Sequence, residues 1–440
     1  MGIASELEKR RGWVVMGILA VSLVVTLAMG IQARGRILKK QRTGSVTQVN
    51  DFERWMKETP RFLEGRAWYI DDSLPTPPVT LLVFAPLTRL SEANAQLAWA
   101  MCKWVFVVGI GWCCWRMAVN AGVRPAMWAV LMGLGVWMWA VMGDVQQGQT
   151  NLLMLWPLCG GLLLIQNSEF GIQNDGRGVR GRWRVAVLGG ILVALAACIK
   201  VTPLIFLVYF MWRRRWWAVL GMMVGMVLWL VAVPGLVFGY ALNLVWLEGW
   251  VRVMILPYVM HGKVDYYVGQ SVASFVTRLV RHVSAFPDRP VYVNVLDLPE
   301  AVANGVVRGI LLAMAASGWL WMRKRMASLR SVGYVLEVGV VAVFMLWASQ
   351  RTWVPHYVSM VLAVTGMVVV MSDERQDARL RKQAAWVLAA GIVLMMMTSD
   401  MARVMGKDGG EWMRTVGVSL WATAGMVWVL VRGKTMNVER

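Results

Sequence analysis

Acidic residues are scarce in this chain, which sets 25 Asp and Glu against 45 Lys and Arg for a formal net charge of +20, with only 16% of its 440 residues charged. A soluble protein carries about a quarter charged residues, so a soluble globular domain is excluded. The three histidines, His261, His282 and His356, leave little material for a metal cluster, and neither a metal nor another cofactor is expected. The five cysteines, Cys102, Cys113, Cys114, Cys159 and Cys198, sit in apolar stretches without C-x-x-C spacing and read as reduced packing residues. What the chain has in abundance is apolar sequence, 58% of its residues. The basic excess is interrupted by long apolar runs, so it bears on orientation in a bilayer and not on nucleic acid.

A spanning helix needs roughly 20 mostly apolar residues. Runs of that kind cover 13–31, 97–115, 126–143, 150–165, 216–239, 305–322, 333–349, 356–372, 384–398 and 415–431. The first follows Lys9, Arg10 and Arg11 and has Ala33 near a small-residue cleavage site, but its apolar region is longer than that of a signal peptide, so an uncleaved anchor is expected.

The run 185–212 is different, because Lys200 and Pro203 interrupt it before Arg213, Arg214 and Arg215. Read as one crossing, it leaves 14 Lys and Arg downstream facing outward against four facing inward, which the positive-inside rule rejects. Read as a hairpin returning to the cytoplasmic side, it places 23 basic residues in the inner tails and short loops against five in the short outer ones. Arms of about 15 and 10 residues reach only ~22 and ~15 Å, so neither is expected to cross a ~30 Å hydrocarbon core. Lys200 then lies at a membrane-level tip, either as a functional cation or as a lysine snorkelling to the outer headgroups.

This topology, about 12 membrane segments with both termini cytoplasmic, puts two long segments outside, 32–96 and 240–304, which hold 12 acids; with Asp144, Asp400, Asp408 and Glu411 of the short outer loops, 16 of the 25 carboxylates and all three histidines lie outside. Any chemistry is expected on the outer side. In the first loop Phe52, Trp55, Met56, Thr59, Phe62 and Leu63 recur at helical spacing, an amphipathic stretch suited to the membrane surface that Pro60 must kink or divide. Asp51 stands at its start and is either an N-cap or a reactive carboxylate. Trp68, Tyr69, Trp246, Trp250, Tyr266 and Tyr267 suit an interfacial belt or sugar stacking. The apolar run 79–87 is too short to span and is expected to dip into the interface. The short outer loop D-V-Q-Q-G-Q-T-N at 144–151 offers amides for hydroxyl groups or simply caps a helix turn. Glu337, inside a span near its cytoplasmic end, is expected to pair with an arginine.

Four blocks, in order, resemble glycosyltransferase family 87, the polyprenyl-phosphate-mannose-dependent enzymes of GT-C fold. They are Asp51-Phe52 with E-G-R-A-W-Y, T-P-P and L-L-V-F-A-P-L; G-Q-T-N-L-L-M-L at 148–155; I-K-V-T-P-L-I-F-L through R-R-R-W-W at 199–217; and G-Q-S-V-A-S-F-V-T-R-L at 269–279 with T-W-V-P-H-Y-V at 352–358. The chain departs from the family at Gly269, where Asn often precedes Gln-Ser, and at Pro355, where a second histidine is common. Residues 384–440 match no block.

The resemblance implies an all-α polytopic membrane protein, one GT-C-like domain over 1–440. It implies transfer of a hexose, mannose by preference, from a polyprenyl-phosphate-sugar donor to a glycolipid or glycan acceptor, at the outer face of a bacterial-type cytoplasmic membrane. Asp51 would be the base, with Lys200, His356, Gln270, Ser271, Gln149 and Asn151 binding donor or phosphate. A donor whose leaving group is already an ionised phosphate needs cations more than an acid, and a single base with direct displacement implies inversion. The reading from another class is a transporter or lipid flippase, which broken helices suit but which usually shows paired repeats; no second copy of the Lys-Pro hairpin or the Asp51 loop is found.

Overall fold

The computed structural model describes residues 2–43, 50–66, 69, 75–169, 182–261, 264–323, 326, 328–399 and 405–438, and among them every regular element is helical. Trp68, Asp400 and Arg403 lie outside the described residues. The first half of the chain forms α1 (Gly2–Thr43), α2 (Asp51–Leu63), α3 (Pro78–Phe84), α4 (Glu92–Asn120), α5 (Met127–Gln147), α6 (Asn151–Asn167), α7 (Arg182–Ile199), α8 (Ile205–Trp212) and α9 (Trp216–Phe238). Next comes α10 (Tyr240–Trp250), which continues through a π-helical turn, Val251–Ile255, into Leu256–His261. The remainder is α11 (Val272–Val280), α12 (Glu300–Trp321), α13 (Val332–Ala348), α14 (Val354–Ser372, opening as a 3-10 turn), α15 (Ala378–Thr398), α16 (Gly406–Thr415) and α17 (Val418–Val438). Among the described residues eight helices are long and apolar enough to cross a bilayer, and α16 with α17 makes a further segment bent by 50°. The chain is a multi-pass membrane protein.

Each apolar run read from the sequence as a span lies on one of these helices. The largest difference is α1, a single helix of 42 residues. No proline falls between Gly2 and Thr43 to end it at the bilayer surface, and Lys40 and Arg42 in its last turn complement the helix dipole. The second long segment likewise opens on helix, through α10 to His261.

The first outer segment differs in a way that matters for the site. The apolar face of α2 turns inward: Phe52, Trp55 and Phe62 are buried. Phe52 stacks on Trp99 with centroids 5.8 Å apart, Trp55 stacks on Phe84 at 5.5 Å, and Phe62 meets Trp246 at 4.7 Å. The run expected to dip into the interface forms α3, whose Val79, Leu81 and Phe84 fill the space beneath α2. Aromatic partners within the protein bury α2 better than lipid headgroups would, so the amphipathic helix is docked and not floating. Pro60 falls in its last turn, and the helix stops three residues later.

Around Lys200 the direction of the chain can be read from close contacts. A Cβ built on Gly190 would lie 2.3 Å from the carbonyl oxygen of Ala218, and one on Gly221 would lie 2.2 Å from that of Val187. Trp183 packs on Trp217, and Trp229 Nε1 donates to the Ile191 oxygen at 3.1 Å. The pairs 183 with 217, 187 with 221 and 191 with 229 ascend together, so α7 and α9 run in the same direction. The 3-10 turn Thr202–Leu204 and α8 therefore carry the chain back between them. α7 has 18 residues and reaches about 27 Å, longer than the arm read from the sequence, because it starts at Arg182.

At the far end of the return Glu337, fully buried on α13, accepts from Tyr209 at 3.0 Å and Arg213 Nε at 2.8 Å and is also bridged by Lys434. The arginine partner expected for Glu337 is thus Arg213, and α17 supplies a second cation. Because the α7–α9 contact has no room for a side chain, Gly221→Ala should destabilise the protein by overpacking, about 1–3 kcal/mol. The check is thermal unfolding in detergent, where Gly305→Ala, whose added carbon meets nothing within 4 Å, should leave the midpoint in place.

Candidate active site

At the end of the bundle where α5 turns into α6 and α7 gives way to Lys200, a cavity of about 730 Å³ opens, within the roughly 300–1,000 Å³ of small-molecule sites. Asp51, Gln149, Asn151, Lys200 and His356 all line it. Arg54 and Glu58 of α2 add polar lining, and Ile199, Met254, Ile255, Met345 and Leu346 add apolar lining.

Asp51 is the first residue of α2 but not its cap. Asn50, in extended conformation, accepts the Glu53 amide at 3.3 Å and leaves the Asp51 carboxylate to the cavity. Asp51 is paired with Arg54 one turn along α2, 3.6 Å away, and accepts a hydrogen bond from Gln149 Nε2. Gln149 is brought there by Gly148, whose φ of +68° ends α5 in the left-handed region. A Cβ on Gly148 would lie 2.7 Å from both Cβ and N of Phe52, so only glycine lets this turn press against the start of α2.

Lys200 follows the last turn of α7, and its Nζ donates to Asn151 Oδ1. Asn151, the first residue of α6, is fully buried, and its Nδ2 donates to the Pro355 oxygen at 3.3 Å. His356 Nδ1 accepts the Trp353 amide at 2.7 Å. An imidazole nitrogen that accepts carries no proton, which leaves the Nε2–H as a donor. The rim is held by Tyr69, whose hydroxyl donates to the Thr76 oxygen at 2.7 Å, and by Trp250, whose Nε1 donates to that of Pro75 at 3.2 Å. Burial pushes the Tyr69 phenol well above its ordinary value, so it stays a donor.

Gln270 and Ser271 are not brought to the cavity. Gln270 spends its amide on the carbonyls of Tyr267, 2.7 Å, and Arg414, 2.8 Å, and Ser271 caps α11 by accepting the Ser274 amide at 3.1 Å. With Arg278, buried and donating to the oxygens of Tyr266 and Gly269 at 3.0 and 2.9 Å, they form a scaffold that holds Tyr266 at the cavity wall. Of the aromatic candidates Trp250 and Tyr266 line the cavity, while Trp246 is buried against Phe62. His282 stacks on Tyr292 at 3.9 Å, away from it. Sequence reasoning passed over Lys103, which lies within an apolar run and forms a buried ion pair with Asp144 at 2.7 Å behind the site. A lone lysine in the middle of a span was the available signal.

The arrangement joins a partly exposed carboxylate, a lysine ammonium and an imidazole N–H on one cavity of mixed polar and apolar lining. Such a set can accept a proton from one group and steady negative charge on another.

Two crystal structures of ArnT from Cupriavidus metallidurans resemble the chain: the apo form, with 14% identity, a TM-score of 0.43 and coverage of 98% of this chain and 78% of that one, and the form bound to undecaprenyl phosphate, with 15%, 0.40, 97% and 78%. No curated protein matches the sequence significantly. The model of glycosyltransferase family 87 matches residues 76–349, more than half of the chain, and takes in Gln149, Asn151 and Lys200 while Asp51 and His356 flank it. The chain belongs to glycosyltransferase family 87.

Proposed function

We propose that the protein transfers a hexose, mannose by preference, from a polyprenyl-phosphate donor to a hydroxyl of a glycolipid or glycan acceptor at the extracytoplasmic face, with inversion at the anomeric carbon. The observation that carries this reading is the convergence of Asp51 and Lys200, from segments far apart in the chain, on one cavity that apolar side chains such as Ile199, Met254 and Ile255 also line. Those side chains suit a polyprenyl chain, and Lys200 suits the phosphate at its head.

In this mechanism the acceptor oxygen attacks the anomeric carbon as the Asp51 carboxylate takes its proton. The bond between that carbon and the phosphate oxygen breaks, and its electron pair leaves with the phosphate. Lys200 and the His356 Nε2–H oppose the charge that develops there. Gln149 steadies the Asp51 carboxylate and Asn151 the Lys200 ammonium through their hydrogen bonds. The far, basic end of the bundle, with Arg213, Arg375 and Arg381, sits on the cytoplasmic side in this reading. Membership of a glycosyltransferase family favours this chemistry over the transporter or flippase alternative.

Asp51→Asn should lower kcat with labelled polyprenyl-phosphate-mannose by about 10²–10⁴-fold, the worth of a positioned base, while the purified protein keeps its melting temperature. Undiminished transfer removes Asp51 from the mechanism. Lys200→Ala should raise the donor KM at least tenfold with a smaller change in the acceptor KM. Equal effects on both substrates would assign Lys200 to packing.

A further inference from the structure

Part of the cavity wall lies beyond the groups already given a role. On α2 three charged side chains share one face, Asp51, Arg54 and Glu58, spaced i, i+3 and i+7, and all three line the cavity. The stripe runs about 10 Å along the helix, so Glu58 stands two turns away from the Asp51 carboxylate. Glu58 is buried, and its pairing with Arg61 at 3.2 Å engages a guanidinium that is itself largely exposed. A pair of that kind contributes little to stability and does not account for a carboxylate kept in the wall of a cavity.

The Glu58 end of α2 brings further lining with it. Phe62, one turn beyond Glu58, packs on the Tyr69 ring at 5.5 Å; the Tyr69 hydroxyl holds the Thr76 oxygen, and Trp250 Nε1 holds that of Pro75. Thr76 and Trp250 are therefore tied to this end of the helix, and both line the cavity. Thr76 is 2% exposed, yet its hydroxyl has no hydrogen-bond partner among the described residues. The indole N–H of Trp55, another lining residue one turn before Glu58, is buried in the same unpaired state. Buried donors without partners are costly and need a reason. A bound molecule rich in hydroxyl groups would satisfy them.

The contacts also set the order of the parts. Asn151 holds Lys200, Gln149 in the same turn holds Asp51, and α2 leads from Asp51 to Glu58. Asp51 comes between the lysine and the Glu58 end. Inversion makes the same demand, because the attacking hydroxyl enters on the face of the anomeric carbon opposite the leaving phosphate. An acceptor placed for that attack extends away from Lys200 and past Asp51.

We propose that Glu58, Thr76 and Trp250 form a second acceptor subsite, which holds the sugar ring next to the one whose hydroxyl Asp51 deprotonates. The site then prefers acceptors of at least two linked sugars. Trp250 supplies an aromatic surface for that ring, and the Glu58 carboxylate and Thr76 hydroxyl meet its hydroxyl groups. The proposal rests on the reading of Asp51 as the base and Lys200 as the phosphate site.

The test is transfer of labelled sugar from polyprenyl-phosphate-mannose, by the purified full-length protein in detergent, to octyl glycosides carrying one ring or two, in mannose, glucose and galactose series. At least one two-ring acceptor should exceed its one-ring partner tenfold or more in kcat/KM. Glu58→Gln should erase most of that preference by raising the KM of the two-ring acceptor about tenfold, with kcat changed less than threefold and the donor KM less than twofold. Thr76→Val removes the unpaired hydroxyl, so it should raise the same KM severalfold while the melting temperature holds or rises, which a merely structural threonine would not give. It also serves as the folded variant should Glu58→Gln fail to fold. Equal use of one-ring and two-ring acceptors, or a preference unaltered in the variants that fold, overturns the second subsite alone. Transfer to no acceptor of either length brings down the reading of Asp51 and Lys200 with it.

Discussion

The backbone contact between α7 and α9 is the constraint on which the site depends. Glycine at 190 and 221 lets the two helices lie against each other with no side chain between them, and their pairing in ascending order makes them parallel. Two successive parallel helices in a membrane need a return between them, and the chain has only Lys200 to Arg215 in which to make it. The return is made by a short 3-10 turn and the eight residues of α8, so the chain breaks at Lys200 and the cavity opens at that break.

A second constraint supplies the carboxylate. Because α2 buries its aromatic face on α3, α4 and α10 instead of resting on lipid, its first residue has a fixed position relative to the bundle. Gly148 then joins that position to the α5–α6 turn, and the same turn reaches Lys200 through Asn151. Three stretches far apart in sequence meet, and the tight cap at Gly148, with no room for a side chain, brings the first two together.

Much of this was legible in the sequence. Apolar run length located the membrane helices, since each bilayer crossing imposes its own local demand for hydrophobicity. Charge asymmetry revealed the reversal at Lys200, because one misplaced crossing inverts the sign of every loop after it. Other features were hidden for equally physical reasons. Whether the apolar face of α2 meets lipid or protein cannot be told from the face itself. That Asn50 rather than Asp51 caps α2 depends on backbone angles that either residue could adopt. Gln270 and Ser271 have the same donors and acceptors whether they bind a sugar or a neighbouring carbonyl, and only the tertiary fold turned them to the scaffold. Lys103 and Asp144 lie on successive helices, 41 residues apart, so nothing local announces their pairing.

The returning segment is clamped at both ends, by Lys200 to Asn151 on one side and by Arg213 to Glu337 on the other. Three residues of 3-10 helix and eight of α-helix therefore act as a strut of set length between two anchors. One residue inserted into it would turn one anchor by about 100° and displace it by ~1.5 Å relative to the other, and no side-chain rearrangement could satisfy both. Over evolutionary time this segment should change its apolar residues freely and its residue count hardly at all, so that alignments of the family would show it as variable in letters and free of gaps.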